Sequence, residues 1–81
     1  MRINRSQIQK IGNKISKIYG AAEPIISSKK CLIEGGYKGY EARTELPSYE
    51  GGTEFASAIN QADPNVITEN LGGCIYFIYE P

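Results

Sequence analysis

A chain of 81 residues has room for one domain, and a domain of that size buries only about 60% of the surface its unfolded chain exposes, so its core is thin. With 41% hydrophobic and 22% charged residues the composition is that of a folded globular protein, away from the low-hydrophobicity, high-charge class that stays disordered. Net charge is zero and histidine is absent, which sets the chain apart from strongly basic nucleic-acid binders and removes the commonest general base, proton shuttle and metal ligand.

The segment from Arg5 to Tyr19 reads as an amphipathic helix. Ile8, Ile11, Ile15, Ile18 and Tyr19 recur at three-to-four spacing on one stripe, with Lys10, Lys14 and Lys17 on the opposite side. Asn4 is placed to cap the free amides, Gln7 to reach back to the Asn4 amide, and Ile3 to pack on Ile8 as a hydrophobic staple. Gly20 supplies a left-handed stop, with Pro24 soon after. Gly12, at the edge of the stripe, costs about 1 kcal/mol relative to Ala, a cost that close approach by a sheet would explain.

Residues 21–46 read as a hairpin. Cys31-Leu32-Ile33 is β-prone, Gly35-Gly36 marks a tight turn, and Tyr40, Ala42, Thr44 and Leu46 alternate on one side while Glu41, Arg43 and Glu45 face solvent. Residues 47–52 form a loop, and Thr53 caps a second helix running to about Ala62. Its stripe is Phe55, Ala58, Ile59 and Ala62, Glu54 sits near its positive end, and Asp63-Pro64 stops it. Val66-Ile67-Thr68 is a brief strand and residues 70–73 a turn. Cys74 to Tyr79 is the strongest strand in the chain, bulky on both faces as in a central strand covered on both sides. The implied fold is α+β: a small single domain over residues 1–81, an antiparallel sheet of three to four strands packed by an N-terminal amphipathic helix and a short second helix, in the order α-β-β-α-β(-β).

No apolar run approaches the roughly 20 residues of a membrane span, and the first residues lead into a Lys-rich helix instead of an apolar signal core, so a cytoplasmic protein without a membrane partner is expected. Cys31 and Cys74 lie in separate strand-like runs, without zinc or redox spacing; two buried thiols is the simpler reading and a disulfide the alternative.

Chemistry is sparse. Without imidazole no Ser-His or Cys-His nucleophile can be built. Glu34, Glu41, Glu45, Glu50 and Glu54 read as solvated acids before they read as a catalytic pair, and Glu50 with Glu54 lacks calcium-loop spacing. Gly35-Gly36 and Gly51-Gly52 match neither the P-loop nor the dinucleotide pattern, so no cofactor is expected. Gly36-Tyr37-Lys38-Gly39 spells the Gly-x-x-Gly of RNA-binding KH domains, but that loop joins two helices and this one lies between strands.

What remains is outer shape and charge. Residues 1–30 carry seven of the nine basic residues against Glu23 alone, a local charge of +6, and residues 31–81 carry −6. Six tyrosines stand in the chain, and Tyr37, Tyr40 and Tyr49 lie among Gly, Ser and Glu, a palette of binding surfaces; Tyr19 and Tyr76 read as core. The leading expectation is a small non-catalytic protein-binding module, an adaptor or an inhibitor that occludes a larger protein partner, with Tyr37, Tyr40 and Tyr49 as anchors and Glu41, Glu45 and Glu50 as rim charges. Short proteins of phage and mobile elements often work this way. The alternatives are a nucleic-acid binder using Lys10, Lys14 and Lys17, and a self-associating structural protein built as a homodimer through an apolar edge strand or the charge dipole.

Overall fold

The computed structural model describes residues 3–33, 37–71 and 74–79. The elements run α1 (Arg5–Tyr19), β1 (Ile25–Ile26), β2 (Cys31–Ile33), β3 (Tyr37–Arg43), α2 (Gly51–Ala62), β4 (Val66–Asn70) and β5 (Cys74–Tyr79). The expected α+β fold is the observed one, with two helices on an antiparallel sheet. Among the described residues no helix is long and apolar enough to cross a membrane.

Local sequence fixes α1. The Asn4 side chain accepts from the Gln7 amide and the Gln7 side chain accepts from the Asn4 amide, both at 2.9 Å, a reciprocal capping box. Gly20, at φ 65°, ends the helix in the left-handed region, where its amide turns back to the carbonyls of Lys17 and Ser16. Ile3, Ile8 and Ile15 enter the core as the periodicity requires. Ile18 does not: it is 71% exposed, because 3.6 residues per turn set it roughly 80° round from Ile8, further than a thin core reaches.

The strand order is β1-β3-β5-β4, antiparallel throughout, with β2 beside β1 on the same side of β3. The sheet is therefore four strands wide, and each half of the chain is a helix followed by a hairpin, with β3 and β5 meeting at the centre. Register places Ile26, Ala42, Ile75, Phe77 and Val66 on one face, where they join Ile8, Ile15, Phe55 and Ile59 in the core. Phe55 of α2 meets Phe77 of β5 edge to face, with centroids 5.3 Å apart. The opposite face presents Ile25, Glu41, Arg43, Ile67, Glu69, Tyr76 and the buried Ile78, and among the described residues no helix lies over it. β5 is central as expected, but helices cover it on one side only, and Tyr76 lies on the open side, half-buried, instead of in the core.

Three further expectations need correction. Gly12 is approached not by the sheet but by Pro24 and by the Phe55 ring, whose Cζ would lie 3.1 Å from an added Cβ. Thr53 is not the cap of α2, which starts two residues earlier at Gly51. The amides of Glu50 and Gly52 both donate to the Pro47 carbonyl, at 3.1 and 2.9 Å, while the Thr53 hydroxyl donates to the Ser48 carbonyl. Ala62 is exposed instead of completing the stripe. Residues 34–36 and 72–73, the expected turns, lie outside the described residues apart from Asn70, which closes β4, and Leu71.

Register also separates the cysteine backbones. Cys31 pairs with Gly39 and Cys74 with Arg43, on opposite sides of β3. Four residues along a strand span about 14 Å, well beyond the ~7 Å limit for disulfide-bonded Cα atoms, so the two do not bridge within one chain.

Asp63 holds the far end of the molecule. It is 2% exposed, and its carboxylate accepts from the Ile3 amide at 2.9 Å and from the Asn65 amide at 3.1 Å, tying the start of the chain to the end of α2. Asp63→Ala strands those amides and is expected to cost about 1–3 kcal/mol in urea unfolding. Gly12→Ala gains about 1 kcal/mol of helix propensity but overpacks Pro24 and Phe55 by about 1–3 kcal/mol, so a net loss in the same measurement is expected.

Candidate protein-binding site

The expected contact residues do not form one patch. Tyr37 and Tyr40 leave β3 on opposite faces by strand alternation. Tyr40 packs against the core on the helix side, half-buried, so its ring is structural and not a free anchor. Glu41 lies on the open face, where its carboxylate accepts from Arg43 Nε at 2.8 Å and is hydrogen-bonded by Tyr76. The Arg43 bond, more than any other influence, holds the Glu41 carboxyl below its ordinary range.

Glu45 and Glu50 lie where the β3–α2 connection passes the C-terminal end of α1, and Tyr49 directly precedes Glu50 on that connection. Glu45 Oε2 accepts from the Ala22 amide at 3.4 Å, just past α1. Glu50 immediately precedes α2, and with Glu54 it stands close enough to Tyr19 to raise the phenol above its ordinary value. The largest cause of that rise is the 2.7 Å bond from the Tyr19 hydroxyl to Glu54 Oε1, which favours the protonated phenol. Tyr49 is 95% exposed. A loop carrying such a ring is held at several points: Pro47 takes two amides, Ser48 accepts from Thr53 and from Asn70 Nδ2 at 2.6 Å, and Leu46 is 3% exposed in the core. The ring is thus presented by an anchored segment.

Sequence reasoning missed Tyr19 and Glu54 as members of this end. They are 35 positions apart, and only the packing of α1 against α2 brings them together. The Gly51-Gly52 pair was the available clue, because a Cβ at Gly51 would stand 3.2 Å from the Tyr19 ring.

Lys10, Lys14 and Lys17 form an exposed row along the outer side of α1. Lys14 and Lys17 border a shallow hollow of about 450 Å³, which Asn13, Ala21 and Glu23 also line, so a carboxylate already shares the basic surface. Among the described residues no group of three metal-ligating side chains is gathered. Gly39 lies within β3 and not in a loop between helices, which removes the KH resemblance of residues 36–39.

Tyr40→Ala is expected to lower stability by about 1–3 kcal/mol and Tyr49→Ala by less than about 0.5 kcal/mol, read from thermal unfolding of each variant. Because the Glu41 carboxyl is depressed in the fold, its contribution is present above the ordinary glutamate range and is lost as pH falls through the depressed value; Arg43→Ala should raise the Glu41 titration in a carboxyl-detected NMR series. Compared with protein-family models, with curated proteins and with solved structures, the chain finds no match.

Proposed function

We propose that the chain is a non-catalytic protein-binding module, acting as an adaptor or as an inhibitor by occlusion, and that it meets its partner with the end that carries Tyr49. The observation that supports this reading is the 95% exposure of Tyr49 on a loop anchored at Leu46, Pro47 and Ser48. A large aromatic ring kept in water by a fixed backbone loses little entropy when a partner covers it, and buried tyrosines are among the groups that dominate interface energy. Glu50 follows it in the chain, and Glu45 on the same connection and Glu54 in the first turn of α2 are exposed as well, a set of negative charges that suits a basic rim on the partner and steers its approach.

The rival reading, nucleic-acid binding, draws on the row of Lys10, Lys14 and Lys17, whose ammonium groups stand one to two turns apart and are exposed. A sequence pI near 6.2 and the acids at the C-terminal end of α1, the end that carries Lys17, weigh against it.

Affinity capture from the source cells with wild-type and variant bait tests the proposal. A stoichiometric protein should be retained by wild type, and its affinity should fall at least tenfold with Tyr49→Ala while the thermal midpoint stays put. Substituting Lys10, Lys14 and Lys17 by Gln should leave capture intact. Retention of nucleic acid, lost steeply with salt and with the lysine variant, decides for the rival.

A further inference from the structure

The two edges of the sheet are finished differently. One carries β1 and β2, two and three residues long, interrupted by residues 27–30 with Lys29 and Lys30, and short broken strands with lysines are how proteins keep sheet edges from pairing. The other is β4, which runs for five residues without Lys or Pro, and among the described residues no element pairs with its outer side. On the helix side it is flanked by α2, where Asn60 Nδ2 donates to the Thr68 hydroxyl at 3.1 Å. At its far end Asn70 Nδ2 donates to the Ser48 carbonyl at 2.6 Å, so the edge leads directly to the loop that presents Tyr49.

In an antiparallel ladder successive residues bond to one side and then the other. The Ser27 amide donates to the Glu41 carbonyl at 2.8 Å, so Glu41 bonds towards β1, while Tyr40 and Ala42 bond towards Phe77 and Ile75 of β5. Tyr76 and Ile78 are left to bond towards Glu69 and Ile67, and Thr68 therefore turns its N–H and carbonyl away from the sheet. The Val66 amide, in the same phase, donates to the Asp63 carbonyl at 3.1 Å, so Thr68 offers the first outward amide. Side chains here sort by alternation: Ile67, 46% exposed, and Glu69 project on the open face, and Thr68 projects towards α2. Charge at this edge has one sign. Glu54 is the only charged residue of α2 and Glu69 of β4, and no Lys or Arg follows Arg43 in the sequence.

Resting on the protein-binding reading of the Tyr49 end, we propose that the partner presents a basic, extended segment that adds to β4 as a further strand. One residue of that segment exchanges backbone bonds with Thr68, and its neighbours on either side fall beside Ile67 and Glu69 on the open face. The segment therefore carries an apolar residue and a Lys or Arg two positions apart, with no Pro between them. Charge selects this occupant over a second copy, since another β4 would bring a second Glu69 to the junction and no base to meet either. It also selects against a nucleic-acid strand, whose phosphates the same acids repel. Main-chain bonds hold the segment, and its alternate side chains together with the Tyr49 contact make the choice of partner specific.

A display library of random linear peptides, panned on the folded chain, tests this. Enriched peptides should carry Lys or Arg in alternation with Val, Ile or another apolar residue, and a synthetic copy of one should slow exchange of the Thr68 amide. Glu69→Lys should weaken that peptide by about tenfold. Thr68→Pro, which removes an outward donor that the β5 ladder does not use, should abolish its binding while the circular dichroism stays that of the wild type. If Thr68→Pro unfolds the chain, Glu69→Lys and the Thr68 amide still decide. No enrichment over an unrelated bait overturns the proposal, as do enriched peptides without basic residues or peptides that either folded variant keeps. A Thr68 amide that slows with protein concentration alone, the mark of pairing between copies, overturns it too. Tyr49→Ala should leave the short peptide bound. Partner capture indifferent to Tyr49→Ala then sinks the Tyr49 reading without touching the peptide result, and capture kept by Thr68→Pro sinks the added strand alone.

Discussion

The structure depends on a single layer of apolar contact between one face of the sheet and two helices. Phe55 against Phe77 is at its centre, and both rings are fully buried. Gly12 lets α1 come close enough for Pro24 and the Phe55 ring to fill the space a side chain would take. With α1 and α2 both on that face, the other face receives no cover from the chain's helices. A longer chain has spare elements to wrap its sheet twice; one this short does not.

That arrangement decides which residues are available for contact. Tyr40 is drawn inward because β3 alternation points it to the helices, whereas Glu41, one position on, is left on the open side with Arg43 as its partner. The ion pair is well exposed at Arg43 and contributes little to stability, but it lowers the cost of leaving a carboxylate over a sheet that carries Tyr76 beside it. The acids of the Tyr49 end are in a different position. Glu54 binds the Tyr19 hydroxyl and Glu45 the Ala22 amide, so two of them brace the helix ends while remaining at the surface.

Legibility in the sequence followed the range of the interaction. α1 was readable to the residue at both ends because Asn4, Gln7 and Gly20 act on amides and carbonyls within a turn. β5 was readable because six bulky residues in a row belong in the middle of a sheet. The start of α2 was not, since Thr53 looks like a cap until Pro47 is seen to hold the amides of Glu50 and Gly52, and until Leu46 and Asn70 are seen packed on Gly51 and Gly52. β1 was missed for a similar reason: Ile25-Ile26 is too short to announce itself and exists because Ala42 and Arg43 offer it an edge. Of the candidate contact residues, Tyr37 and Glu41 share the open face of β3 while alternation turns Tyr40 between them to the helices, and Glu45 and Glu50 lie further along, by the C-terminal end of α1.

The same alternation explains why the edges matter more than the composition. Spread over four strands, the backbone leaves two rows of outward groups. One row is dealt with by interruption: the β1–β2 edge breaks at residues 27–30, and Ser27 bends in to serve both the amide and the carbonyl of Glu41. Among the described residues nothing comparable interrupts β4, although the Asp63 carbonyl takes the Val66 amide at its start, and its single acid, Glu69, points to the open face. The cost of leaving an amide and a carbonyl to water is small for a monomer, but an uninterrupted strand with an exposed Ile67 also remains a template for pairing. The protection of one edge and not the other is therefore a property of the fold that hydrophobic content and net charge do not register.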